Sequence, residues 1–148
     1  MSIEKVAALI FVVMVGLFAL TVVLLRIPKK LKPEFFVTKW KELQGYCRDK
    51  ATWPKAITEA DQLLDKALKK RKLKGKSMGE RMVSAQRLFT DNDRVWFAHN
   101  LCKKVVAHDP KLKLKESDVR DALMGFRQAL RDLGALPNDP KKEAEDNS

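Results

Sequence analysis

The chain has 148 residues and a mass of 16.9 kDa, which is room for one ordinary domain and too little for two. Thirty Lys plus Arg against nineteen Asp plus Glu give a formal charge of +11 and a pI near 9.8, so polyanions such as phospholipid headgroups or nucleic acid are the natural partners. Six Gly, six Pro and 45% hydrophobic residues exclude collagen-like, mucin-like and wholly disordered chains, and two cysteines, with no CxxC spacing and no disulfide-rich framework, suit a reducing cytosol better than the outside of a cell.

From Val6 to Leu25 the chain reads VAALIFVVMVGLFALTVVLL, twenty residues without a charge. As a helix rising about 1.5 Å per residue, this stretch covers about 30 Å, the thickness of a bilayer's hydrocarbon core. A helix apolar on every side offers water no face, a condition that lipid satisfies and a small soluble core does not. A cleaved secretory signal is the competing reading. Its apolar region would be about 7–15 residues long and end in small residues, whereas Leu24-Leu25-Arg26-Ile27-Pro28 stands here. Residues 1–25 are therefore expected to be a lasting transmembrane anchor.

Glu4 and Lys5 nearly cancel ahead of the apolar stretch, while Arg26, Lys29, Lys30 and Lys32 crowd its other end. Basic residues stay on the cytoplasmic side, which predicts a single-pass protein of the cell (inner) membrane with its N-terminus outside and the rest in the cytoplasm. Residues 26–33 read as a basic juxtamembrane linker. Pro28 and Pro33 stiffen it, and its cations are each drawn to anionic lipid by about 1 kcal/mol.

Over residues 34–136 apolar side chains recur at spacings of three and four, the signature of amphipathic helices, so an all-α bundle of four to five helices is expected. A first helix would carry Phe36, Trp40, Leu43 and Cys47 on one face. A second, with Thr52 as cap and Pro54 in its first turn, has an apolar stripe of Trp53, Ala56, Ile57, Ala60, Leu63, Leu64, Ala67 and Leu68. Ser77-Met78-Gly79-Glu80 after a Lys74-Gly75-Lys76 turn is a capping-box pattern opening a short third helix. Thr90, Asp91 and Asp93 would cap a fourth helix with Val95, Ala98, Leu101, Cys102 and Val105 inward, ending at Asp109-Pro110. A fifth, from about Glu116 to Leu133, presents Val119, Ala122, Leu123, Phe126, Leu130 and Leu133, with Gly134 as its left-handed stop and Pro137 just beyond. Residues 137–148 hold nothing to bury and read as a disordered tail.

Three polar groupings bear on function. The run Lys66–Lys76, KALKKRKLKGK, holds seven basic and no acidic residues. Cations suit a helix C-terminus, and Lys69, Lys70, Arg71, Lys72, Lys74 and Lys76 are expected, with Arg26, Lys29, Lys30 and Lys32, to meet a membrane surface or nucleic acid. The run contains no aromatic residue on which a base could stack, so contact with RNA would be to phosphates and sequence-blind. Glu59 and Asp61 flank the second helix's stripe, either as boundary residues or as an acid–base pair, and a bridge from Glu59 to a basic residue of the fourth helix is expected. His99, Cys102 and His108 offer metal-ligand chemistry, but nine residues of helix would set the two histidines on opposite faces with no fourth ligand, so no metal is assigned. Lys104 and His108, four apart, would share a face, the minimum for cleaving RNA through its 2′-hydroxyl.

The stretch Trp53-Pro54-Lys55-Ala56-Ile57-Thr58-Glu59-Ala60-Asp61-Gln62-Leu63-Leu64-Asp65, then Gly75-Lys76-Ser77-Met78-Gly79-Glu80-Arg81, Trp96, Ala98-His99 and Ala107-His108-Asp109, resembles a group of uncharacterised single-span membrane proteins of small-genome, candidate-phylum bacteria with a cytoplasmic helical domain. The likeness spans about residues 1–135. The Ala-His-Asp ending also resembles the HEPN class of helical domains, whose ribonuclease members place an arginine and a polar residue shortly ahead of a histidine in a dimer cleft. That resemblance implies an HEPN-like bundle, with Lys103 in the place of the arginine, Lys104 in that of the polar residue and His108 in that of the histidine. Lysine is a point charge without arginine's bidentate fork, a departure from the catalytic pattern.

The function expected is a membrane-anchored, non-catalytic cytoplasmic binding or scaffold module whose basic surface faces anionic lipid or an acidic partner. The alternative is an HEPN-like RNA-binding protein or ribonuclease using Lys103, Lys104 and His108. Expected partners are the lipid bilayer, a second copy in a homodimer, and RNA or an acidic protein. No cofactor and no small-molecule substrate is implied.

Overall fold

The computed structural model describes residues 2–26 and 31–138. Six α-helices and two single 3-10 turns make up the described residues, with no strand among them. The first helix, α1 (Ile3–Arg26), is long and apolar enough to cross a membrane, and none of its apolar stretch is buried against protein. The alternative of a buried core helix fails on that exposure. Its hydroxyl at Thr21 donates to the Leu17 carbonyl at 2.8 Å, so this polar group needs no partner from outside the helix.

The rest is a bundle built on one central helix. Helix α2 spans Pro33–Gly45, α3 Trp53–Lys70, α4 Met78–Ser84, α5 Asn92–Val106 and α6 Glu116–Asp132. Helix α3 packs against all four others, and α5 packs against α6 as well. The predicted stripe of α3 is the core: Ala56, Ile57, Ala60, Leu64, Ala67 and Leu68 are fully enclosed, facing Phe36, Leu43, Met82, Val95, Ala98, Phe126 and Leu130. Trp53, Val105, Leu123 and Cys47 are only half-buried. Gly125 is the close crossing of α5 and α6, for a Cβ there would sit 2.7 Å from the Arg94 carbonyl oxygen.

Helix directions follow from the contacts at their ends. Lys66 and Lys70, late in α3, lie over Phe35 at the start of α2, while Lys55, early in α3, lies over Tyr46 just past the end of α2. The two helices are therefore antiparallel. Thr90 ahead of α5 bonds Asp132 at the end of α6, and Arg71 after α3 donates to the Leu133 carbonyl after α6. One end of the bundle thus gathers the starts of α2 and α5 with the ends of α3 and α6. We call it the near end, because the six residues between α1 and α2 can span at most about 25 Å.

Several local expectations need correction. Thr52 sits at the N-cap of α3 without a side-chain capping bond; its hydroxyl instead donates to the Tyr46 and Asp49 carbonyls. The capping box is formed by halves: Ser77 Oγ accepts from Glu80 N, but Glu80 reaches back to the Lys76 N–H rather than to that of Ser77. Asp91 caps α5, accepting from Arg94 N, while Thr90 turns away to Asp132. Helix α5 stops at Val106, before the expected Asp109-Pro110, and His108 lies beyond it with φ 51°. Asp109 N donates to the Lys104 carbonyl and His108 N to that of Val105, so His108 is the left-handed residue of a Schellman stop. Lys72 (φ 55°) after α3 and Gly134 (φ 79°) after α6 play the same part, and only the last is the glycine that this geometry favours.

Candidate functional site

The two basic regions singled out from the sequence lie at opposite ends of the bundle. Eighteen residues of α3 separate them, about 27 Å.

At the near end, the run Lys66–Lys76 is divided between structural and exposed roles. Lys66 Nζ stands 4.1 Å from the Phe35 ring centroid and Lys70 Nζ 5.4 Å from it, so α2 supplies across space the aromatic rings that the run lacks. Lys69 pairs with Asp65 at 3.1 Å. Arg71 is half-buried and donates to the Leu133 carbonyl at 2.9 Å, and Lys72 Nζ donates to the Leu25 carbonyl at the end of α1. Lys32, Lys74 and Lys76 are exposed. Arg26 closes α1, and Lys29 and Lys30 lie outside the described residues, as does the tail beyond residue 138.

Behind this basic end Arg81 holds α4 onto α3. Arg81 is buried, 9% exposed, and its guanidinium makes a two-pronged pair with Asp65, Nε to Oδ1 at 2.8 Å and Nη2 to Oδ2 at 3.0 Å, while Nη1 donates to the Gly75 carbonyl. Burial by itself would raise the Asp65 carboxyl. The hydrogen bonds and charges of Arg81 and Lys69 outweigh it and hold the carboxyl below its usual range.

The far end carries a cavity of about 790 Å³ between the starts of α3 and its 3-10 turn and the Schellman loop after α5. Lys50, Lys55, Lys104 and His108 line it with Trp53 at the wall, against Glu59 and Asp109. Lys104 and His108 do meet there, although not as helical neighbours four apart, since His108 is an exposed loop residue. Lys103 is exposed on α5 and does not line the cavity. The trio implied by the HEPN resemblance is thus brought together in part. Lys50, Lys55 and Trp53 were not singled out as companions of His108, because they come from a segment distant in sequence.

His99 is separate from that cavity. Its Nδ1 lies 2.8 Å from Asp61 Oδ1 with both side chains largely enclosed, and Trp96 meets the ring edge-on. The cross-helix tie therefore belongs to Asp61 and not to Glu59, whose pairing is with Lys55 on its own helix at 4.0 Å. Cys102 is buried beside the same carboxylate. Desolvation first, and then the Asp61 charge and hydrogen bond, push its thiol up to about 12, which disfavours the thiolate that a metal or an electrophile would require. Among the described residues no group of three or more His, Cys, Asp or Glu is set to hold a metal ion.

Comparison with protein-family models, with curated proteins and with solved structures gives no match to this chain.

Proposed function

We propose that the protein is a single-span tether of the cell membrane, with its N-terminus outside and its helical bundle in the cytoplasm, working by binding rather than catalysis. The observation that carries this reading is the antiparallel packing of α2 on α3. It brings the basic C-terminal end of α3 to the end of the bundle that the short connection from α1 can reach. Anchored there, the exposed cations beside Phe35 meet anionic headgroups, each contributing about 1 kcal/mol near the surface, and the opposite end projects toward a partner. The basic linker cations and the weakly charged N-terminus support the orientation.

The test is lysine acetylation of the full-length protein in lipid nanodiscs, read residue by residue by mass spectrometry. Lys70, Lys74 and Lys76 are expected to be protected in phosphatidylserine discs relative to phosphatidylcholine discs, with Lys103 and Lys111 unchanged. Equal reactivity of all five in both lipids overturns the reading.

A second reading is favoured by the meeting of Lys104, His108, Lys50 and Trp53 at one cavity. There an RNA phosphate would be steadied by the lysines while His108 acts as acid or base, as the HEPN resemblance implies. Lys103 stands aside, and lysine replaces the expected arginine. Full-length protein incubated with RNA beside a His108→Ala variant decides it: cleavage lost in the variant makes the protein a ribonuclease, and binding without cleavage in both indicates a non-catalytic phosphate-binding surface. A second copy is a further candidate partner, read by light scattering against concentration.

A further inference from the structure

Helix α2 rests on α3 but stands apart from α6. A groove runs between them, holding two cavities of about 350 Å³ and 250 Å³ that share Trp40, Gln44 and Arg127. Its interior is apolar, with Trp40, Trp53, Val119 and Leu123 lining it and Met124 left 48% exposed. Its rim is basic. Lys41, Arg120 and Arg127 stand along it, and the one acid lining the two cavities, Glu116, is already bonded to Arg120 at 3.2 Å. Trp40, 6% exposed, lines both cavities.

We propose that this groove docks an acidic amphipathic helix of a partner protein, a step that names the partner's chemistry within the tether reading above. One cavity is met by α6 over Glu116–Arg127 and the other around Arg127 and Arg131. Their separation along α6 is about 10–12 Å, the rise between residues i and i+7 of a docked helix. Two apolar side chains of the guest at that spacing fill the two cavities, and glutamates or aspartates beside them meet Lys41 and Arg127, and Arg120 where a guest carboxylate displaces the solvent-exposed Glu116. Charge complementarity selects an acidic guest over a basic one. An acyl chain is a poorer fit, because the groove extends along α6 to Trp53 and Glu116 at the far end, away from the lipid surface. RNA finds few phosphate partners on an apolar floor.

The experiment titrates full-length protein, in phosphatidylcholine nanodiscs, into a fluorescent synthetic helical peptide of about 20 residues with leucines along one face and glutamates elsewhere, followed by anisotropy. Saturable binding is expected, weakened at least about tenfold by the paired changes Arg120→Glu and Arg127→Glu. Both residues are exposed, so the fold is retained and circular dichroism confirms it. The reversed protein should instead bind the same peptide with lysines in place of its glutamates. No saturable binding, equal binding of a scrambled peptide, or indifference to the charge reversal overturns the proposal, and so does a homodimer that the peptide fails to compete. The lysine-protection result is independent of all of these, so loss of the groove would leave the tether standing.

Discussion

Replacing Asp65 by Asn tests the pair that fixes α4 to the core. The substitution keeps shape but removes the charge facing Arg81 and turns one of its two acceptor oxygens into an NH2 donor, leaving a buried guanidinium with one lost hydrogen bond and no counter-charge at Asp65's place. Breaking a buried ion pair from one side costs about 3–5 kcal/mol, and the partial exposure of Asp65 places this case near the lower value, about 3 kcal/mol. For a bundle of this size, with a urea slope of about 2 kcal/mol per molar, the unfolding midpoint should fall by about 1.5 M. Tryptophan emission of the full-length protein in detergent micelles, titrated with urea, reads it. A companion variant with Asp65→Leu and Arg81→Met should recover most of the loss, since replacing both charges avoids the orphan. The same pair sets a pH dependence. Because the folded carboxyl is held below its unfolded value, its stabilisation is complete well above about pH 4 and is lost as the pH falls through the folded pKa. A midpoint shift below about 0.5 M for Asp65→Asn, or a double variant no better than the single one, would refute the assignment.

Gly125→Ala should destabilise by about 1–3 kcal/mol in the same assay, because its methyl would collide with the Arg94 backbone where α5 crosses α6. His108→Gly should raise stability by about 1 kcal/mol by removing a side chain from a left-handed position, and no change would mean that His108 has an interaction elsewhere that offsets the strain. Cys102, with its thiol pushed up to about 12 by burial and by Asp61, should resist maleimide at about pH 8 in the native state while half-buried Cys47 reacts first. Addition of urea should equalise the two.

Much of the secondary structure was legible because it is governed by local periodicity. The stripe from Ala56 to Leu68 could face only a core, Gly134 could only end a helix, and α1 announces itself by twenty residues without a charge. Caps were less legible, since a hydroxyl chooses among acceptors that folding brings near. Thr52 and Thr90 both left the expected helix N–H groups for other partners. The end of α5 was misplaced for a related reason: an exposed histidine in a left-handed turn has no periodic signal, and a nearby Asp-Pro offered a plainer stop.

Composition and periodicity, properties of residues close together in the chain, determined a membrane-length apolar helix, an all-α bundle and a strongly basic charge. Which charges meet was decided only when helices packed. Asp65 found Arg81 across the turn, Asp61 rather than Glu59 found His99, and Lys66 found Phe35 from the preceding helix. Helix direction then sorted two basic regions, one at the end of α3 and one at the end of α5, onto opposite ends of the bundle, because α3 and α5 run antiparallel. The groove between α2 and α6 belongs to the same class of fact: it exists because two helices chose a common neighbour and not each other.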